Sequence, residues 1–178
     1  MDDSWEIHAF EANPACQLSK RALAFGLPVI PHECAVWTED GFAAFRQEDF
    51  SRSNSGSPTD GVSNSNGWGS SIAALNAQHS GYEPEITIPC IDLSRFIREL
   101  PIPAEIICKL NVEGSEFPIL HRMLLEGTID RIAKLYIEFH QWVIPSETDD
   151  SVQELVDLIE KRGVIVDTAE IHLIPYSV

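Results

Sequence analysis

No stretch of the sequence approaches the about 20 consecutive apolar residues that a bilayer span needs, so no membrane span is expected. Basic side chains are scarce. Lys and Arg number 12 against 28 Asp and Glu, and the resulting formal charge of −16 would repel phosphate backbones and anionic lipid surfaces. A nucleic-acid partner is therefore not expected. The four cysteines, Cys16, Cys34, Cys90 and Cys108, form no C-x-x-C pair, which argues against a zinc site or a redox dithiol. They read as reduced thiols serving as small hydrophobes. There is no N-x-[ST] glycosylation acceptor, and Met1-Asp-Asp-Ser-Trp5 has neither the basic nor the apolar character of a signal segment, so the expected location is cytoplasmic. Nothing in the sequence specifies an oligomeric state.

What is present suffices for one sizeable core: 178 residues, 44% of them hydrophobic, are expected to form a single domain over 1–178. Trp5 to Phe10 reads as a strand, Asn13-Pro14 opens a helix reaching about Phe25, and Gly26 closes it. A strand is expected around Val29 to Val36, with Asp40-Gly41 as a hairpin turn into Phe42-Ala-Ala-Phe45. From Ser51 to Ser71 the chain is rich in Ser, Asn and Gly with almost no apolar residues, the composition of a loop. Glu85 to Pro89 reads as a strand. Leu93, Phe96, Ile97 and Leu100 then follow at helical spacing behind Asp92, which is placed to cap. The remainder alternates: strand 105–110, helix 116–126, strand 134–139, helix 151–162, a stop at Gly163. Val164-Ile-Val166 and Ile171 to Ile174 are expected as an antiparallel pair. Alternating β-α units predict an α/β fold, doubly wound, with a mostly parallel sheet covered by helices.

In such sheets ligands bind beyond the carboxyl ends of the strands. Three ends carry polar residues. Glu11 ends the first strand, where a carboxylate can accept two hydrogen bonds from vicinal ribose hydroxyls or can serve as a dipole partner for the next helix. Asn111-Val-Glu113 follows the strand at 105–110. There Gly114 permits a sharp turn, Ser115 can cap, Glu116 favours the positive helix end and Pro118 is tolerated in the first turn. Capping leaves Lys109 and the second carboxylate, Glu113, unexplained. On the third strand Leu135, Ile137 and Phe139 face one way, while Tyr136, Glu138 and His140 face the other. A carboxylate and an imidazole at such an end can position a substrate hydroxyl and take its proton, or can line a solvated strand face. His8, His32, His79, His121 and His172 show no metal-ligand spacing and read as structural or surface residues; no metal site is expected.

Taken in order, these segments resemble the FkbM-type family of S-adenosylmethionine-dependent methyltransferases. The resemblance rests on His8-Ala-Phe-Glu-Ala-Asn-Pro14, Glu33 to Gly41, Gly69-Ser-Ser71, Ile91-Asp-Leu93, Lys109-Leu-Asn-Val-Glu-Gly-Ser-Glu116 with Ile119-Leu120, and Ile137-Glu-Phe-His140. It runs from about Trp5 to His140, and the segment at 109–116 is its most specific part. It implies the doubly wound methyltransferase fold, S-adenosyl-L-methionine as cofactor, and methylation of a hydroxyl oxygen on a small-molecule or glycan acceptor. By the same resemblance Glu11 is expected to bind the cofactor's ribose, and Ala35, Val36 and Trp37 are expected near its adenine. Asn111, Glu113 and His140 are expected toward the reacting methyl group. His140 is the expected general base, with Glu113 or Glu138 orienting it or the substrate hydroxyl.

Two departures stand out. The sequence has no Asp-x-Gly-x-x-x-Gly segment, the family's first motif, so an N-terminally truncated domain with an unfilled strand position is expected. Asn111 stands where the family usually has Asp, which loses a negative charge. These departures keep a rival reading open, a non-catalytic methyltransferase-like binding domain. A nucleotide-dependent sugar-modifying α/β protein would use the same ribose-binding acid.

Overall fold

A computed structural model describes residues 5–45 and 86–168. The expected loop at 51–71, the Gly69-Ser-Ser71 segment, His79, His172 and the run Ile171 to Ile174 lie outside the described residues. The architecture is mixed α/β, with parallel strand pairing and four α-helices among the described residues. Two compact units are present: described residues 5–45 and 86–93 form the first, and 94–168 the second.

In the first unit β1 (His8–Phe10) and β2 (Ile30–His32) pair in parallel, connected through α1 (Leu18–Phe25). The helix expected from Pro14 is interrupted. Pro14–Cys16 forms a separate 3-10 turn, capped by the Asn13 side chain accepting from the Ala15 N–H, and Gln17 breaks the path by adopting φ 48°. The single strand expected over 29–36 is likewise two, β2 and β3 (Ala35–Trp37), which belong to different sheets.

Asp40-Gly41 is a turn but not a β-hairpin. The strand β5 (Ile86–Asp92) lies between β3 and β4 (Gly41–Phe45), parallel to β3 and antiparallel to β4. The Asp40 carboxylate accepts the Asp92 N–H at 3.1 Å, so the turn ties itself to the inserted strand. Ala35, Phe45, Ile88 and Cys90 form a small core there. No local signal distinguishes this insertion from a hairpin, because the inserted strand comes from far along the chain.

The second unit opens within α2 (Leu93–Glu99), from Ser94 onward, and the helix's last carbonyls are held by one side chain. The Arg131 guanidinium donates to the carbonyls of Ile97, Arg98, Leu100 and Pro101. Then β6 (Ile106–Leu110), β7 (Ile132–Ile137) and β8 (Ile165–Asp167) form an all-parallel sheet in that order, with α3 (Glu116–Glu126) and α4 (Asp149–Glu160) as the connections. The first strand of the expected C-terminal pair is therefore parallel to β7. Met123, Ile119 and Leu120 of α3, Leu135 and Ile137 of β7, and Leu155 and Ile159 of α4 are fully buried. Each such side chain contributes about 1.5–3 kcal/mol relative to exposure, which makes this the strongest core of the described chain.

The alternation expected from Leu135 holds as far as β7 extends, to Ile137; His140, expected opposite Phe139, lies beyond the strand and is buried like it. Leu135, Ile137 and Phe139 are buried, while Lys134 and Tyr136 share the other face, with the Lys134 ammonium 4.2 Å from the Tyr136 ring centre. The Glu138 N–H continues the ladder to the Leu110 carbonyl at 3.2 Å. This register sets the segment after β6 beside the segment after β7.

Candidate active site

Beyond the carboxyl ends of β6 and β7 the second unit gathers His140, Glu113 and Glu116. The turn after β6 is built from two residues in the left-handed region, Glu113 at φ 53° and Gly114 at φ 98°. Gly114 adopts this without a Cβ penalty, whereas Glu113 carries strain of about 1–2 kcal/mol. Ser115 stands at the helix N-cap but makes no capping bond, and its buried hydroxyl finds no partner among the described residues. Glu116 instead folds back. Its carboxylate accepts the N–H of Val112 at 3.1 Å and of Gly114 at 2.9 Å, so the acid satisfies the turn rather than merely facing the helix dipole.

The same carboxylate lies 2.8 Å from Nδ1 of His140, and Oε2 of Glu113 lies 3.4 Å from Nε2. Glu116 is fully buried and His140 nearly so. Burial by itself would lower the His140 pKa, but the hydrogen bond and charge of Glu116, with the charges of Glu113 and Glu138, outweigh it and raise the pKa above the ordinary histidine value. The ring also meets the exposed Trp142 at 5.2 Å between centres. An imidazole held at one nitrogen and facing a carboxylate at the other is equipped to accept, hold and return a proton.

The matching family model is the methyltransferase FkbM domain, and it covers residues 1–166. The chain belongs to this family. No curated protein and no solved structure matches it. Membership in the FkbM family implies a methyl donor and an acceptor substrate.

Of the expected site residues in this FkbM domain, His140 and Glu113 are brought together, and Glu138 lies close enough for its charge to act on the ring. Asn111 is exposed at the end of β6. In the first unit, Glu11 accepts the Asn13 N–H at 2.7 Å, so it supports the local turn, and its charge and hydrogen bond help burial to raise the Cys16 pKa. Ala35 and Val36 are buried in β3.

Two arrangements escaped sequence reasoning. For Glu116 the sequence pattern suggests no role beyond a place in the 109–116 segment and a partnership with the helix dipole. The one available signal was its position three residues after Glu113 across a glycine. The other is His8, whose Nδ1 lies 2.9 Å from Nε2 of His32, with Phe10 stacked on the His32 ring at 4.4 Å. Burial and the neighbouring His8 lower the His32 pKa. Parallel pairing of β1 with β2 creates this contact, so spacing could not reveal it.

All four cysteines are free, and burial raises each thiol pKa, that of Cys108 to about 11. Thiols so shifted are poor nucleophiles at neutral pH. Among the described residues no group of three His, Cys, Asp or Glu is arranged to hold a metal ion, and no helix is long and apolar enough to cross a membrane.

Proposed function

We propose that this FkbM domain is an S-adenosyl-L-methionine-dependent methyltransferase acting on a hydroxyl oxygen of a small-molecule or glycan acceptor. The observation that carries the reading is the Glu116–His140–Glu113 arrangement at the ends of β6 and β7. His140 is the general base, taking the acceptor's hydroxyl proton on Nε2, and Glu113 and Glu138 orient the hydroxyl. The oxygen keeps the electron pair of the broken O–H bond and uses it to form the new bond to carbon. The cofactor, when bound, would supply an electrophilic sulfonium methyl, for which a neutral thioether is the leaving group.

The donor set suits that group. Glu113, Glu116 and Glu138 make the surroundings of His140 favourable to a cation, as the raised His140 pKa reflects. Glu11 uses one oxygen for Asn13, and a carboxylate has about four acceptor positions, which leaves capacity for ribose hydroxyls. Asn111 is assigned to the reacting end, and Ala35 and Val36 to the adenine side. The family model spans both compact units, which supports treating them as one domain.

The alternative is a non-catalytic methyltransferase-like binding domain, favoured by Asn in place of an acid at 111. Calorimetry of the full chain with S-adenosyl-L-methionine, followed by labelled-methyl transfer to a panel of hydroxylated acceptors, separates the two. Binding with transfer is expected, and His140→Ala should slow transfer by about 10²- to 10⁴-fold. Binding without transfer would establish the alternative.

A further inference from the structure

Among the described acids, Glu116 is shielded from solvent and held at both oxygens. Oε1 serves the Val112 N–H and His140 Nδ1, and Oε2 serves the Gly114 N–H. An acid at the first position of a helix is ordinarily solvated and interacts loosely with the dipole. Here the left-handed backbone at Glu113 and Gly114 turns two N–H groups toward one carboxylate, making a concave backbone site filled by the protein's own side chain. An ionised carboxylate can only accept hydrogen bonds, so its contact with Nδ1 requires the ring proton to be on that nitrogen.

We propose that Glu116 is a positioning residue that holds the Nδ1–H of His140 and the 112–114 turn with one carboxylate, so that Nε2 is the nitrogen offered to the acceptor hydroxyl. The inference rests on the reading of His140 as general base, yet its first consequences concern the ring alone. The same anchor fixes the turn that brings Glu113 to 3.4 Å from Nε2. When Nε2 takes the acceptor proton, the resulting imidazolium keeps its Nδ1–H on Glu116, whose negative charge stabilises the cation. Among the described residues the titratable and charged groups acting on the ring are Glu116, Glu113 and Glu138, and of these Glu116 alone lies within 3 Å of a ring nitrogen.

The test uses ¹⁵N NMR of the His140 ring in the full chain, which needs no cofactor. In the wild type, above the ring's titration, Nδ1 should be protonated and Nε2 unprotonated; the reverse tautomer would overturn the proposal. In Glu116→Gln the His140 titration midpoint should fall. The acidic limb of the rate against pH should fall with it, and kcat should drop about 10²- to 10⁴-fold with a smaller change in KM. A His140 midpoint unchanged by Glu116→Gln would also overturn it. Should that variant fail to fold, the wild-type tautomer still decides. A wild type with the expected tautomer and titration but no methyl transfer would support the positioning role while overturning the methyltransferase reading.

Discussion

At the scale of the residue, the decisive quantity is the protonation state of His140. A general base works only when neutral, and the carboxylates around this ring raise its pKa. The rate of transfer should therefore climb with pH, with its acidic limb centred above the ordinary histidine value of about 6.5, as a pH-rate profile would register. A limb at or below that value would show that the ring is not the titrating group. Stability runs the other way. A folded pKa above the unfolded one contributes stability that is complete below the unfolded value and is lost as pH rises through the folded one. Catalysis and this stabilising contact thus favour opposite sides of a single titration. Ser115 gives a second test at this scale. A capping serine replaced by Ala costs about 1 kcal/mol. Here the hydroxyl is buried and has no partner among the described residues, so Ser115→Ala should change stability by less than about 0.5 kcal/mol or raise it, measured by denaturant unfolding.

At the scale of the element, sequence signals worked where the physics is local. Helix α3 runs from Glu116 to Glu126 as read, because Gly114, Pro118 and Gly127 bound it with backbone preferences of their own. Helix α4 begins two residues earlier than expected, since Thr148 supplies the cap. Its side chain accepts the Ser151 N–H at 3.2 Å, while Ser151 Oγ accepts the Thr148 N–H at 2.8 Å. Thr148→Ala should cost about 1 kcal/mol in a denaturant titration. An unchanged midpoint would mean that this first turn is not formed in solution. Where elements depend on remote partners, local reading fell short. The division of 29–36 into β2 and β3 and the intrusion of β5 between β3 and β4 both follow from pairings across the chain. The Asp40-Gly41 turn has hairpin chemistry, and only the arrival of residues 86–92 decides otherwise.

At the scale of the whole molecule, residue order along the chain determined the family and most of the candidate site. Lys109 to Glu116 and Ile137 to His140 were legible because their residue types and spacing are unusual for plain strand ends. The alternation expected over 134–140 holds for Leu135, Tyr136 and Ile137, but β7 ends at Ile137 and His140 is buried like Phe139, so strand periodicity did not place His140. What only the tertiary structure decided is which of several nearby carboxylates meets which nitrogen. Glu113, Glu116 and Glu138 were equally acidic in the sequence. The β6–β7 register and the left-handed turn bring Glu116 to Nδ1 and Glu113 to Nε2, and burial makes the first contact the stronger one. Sequence specifies side-chain chemistry and local backbone preference. The pairing of groups 24 residues apart, such as His140 with Glu116 and His8 with His32, is set by strand register and by exclusion of water, and both exist only once the chain has folded.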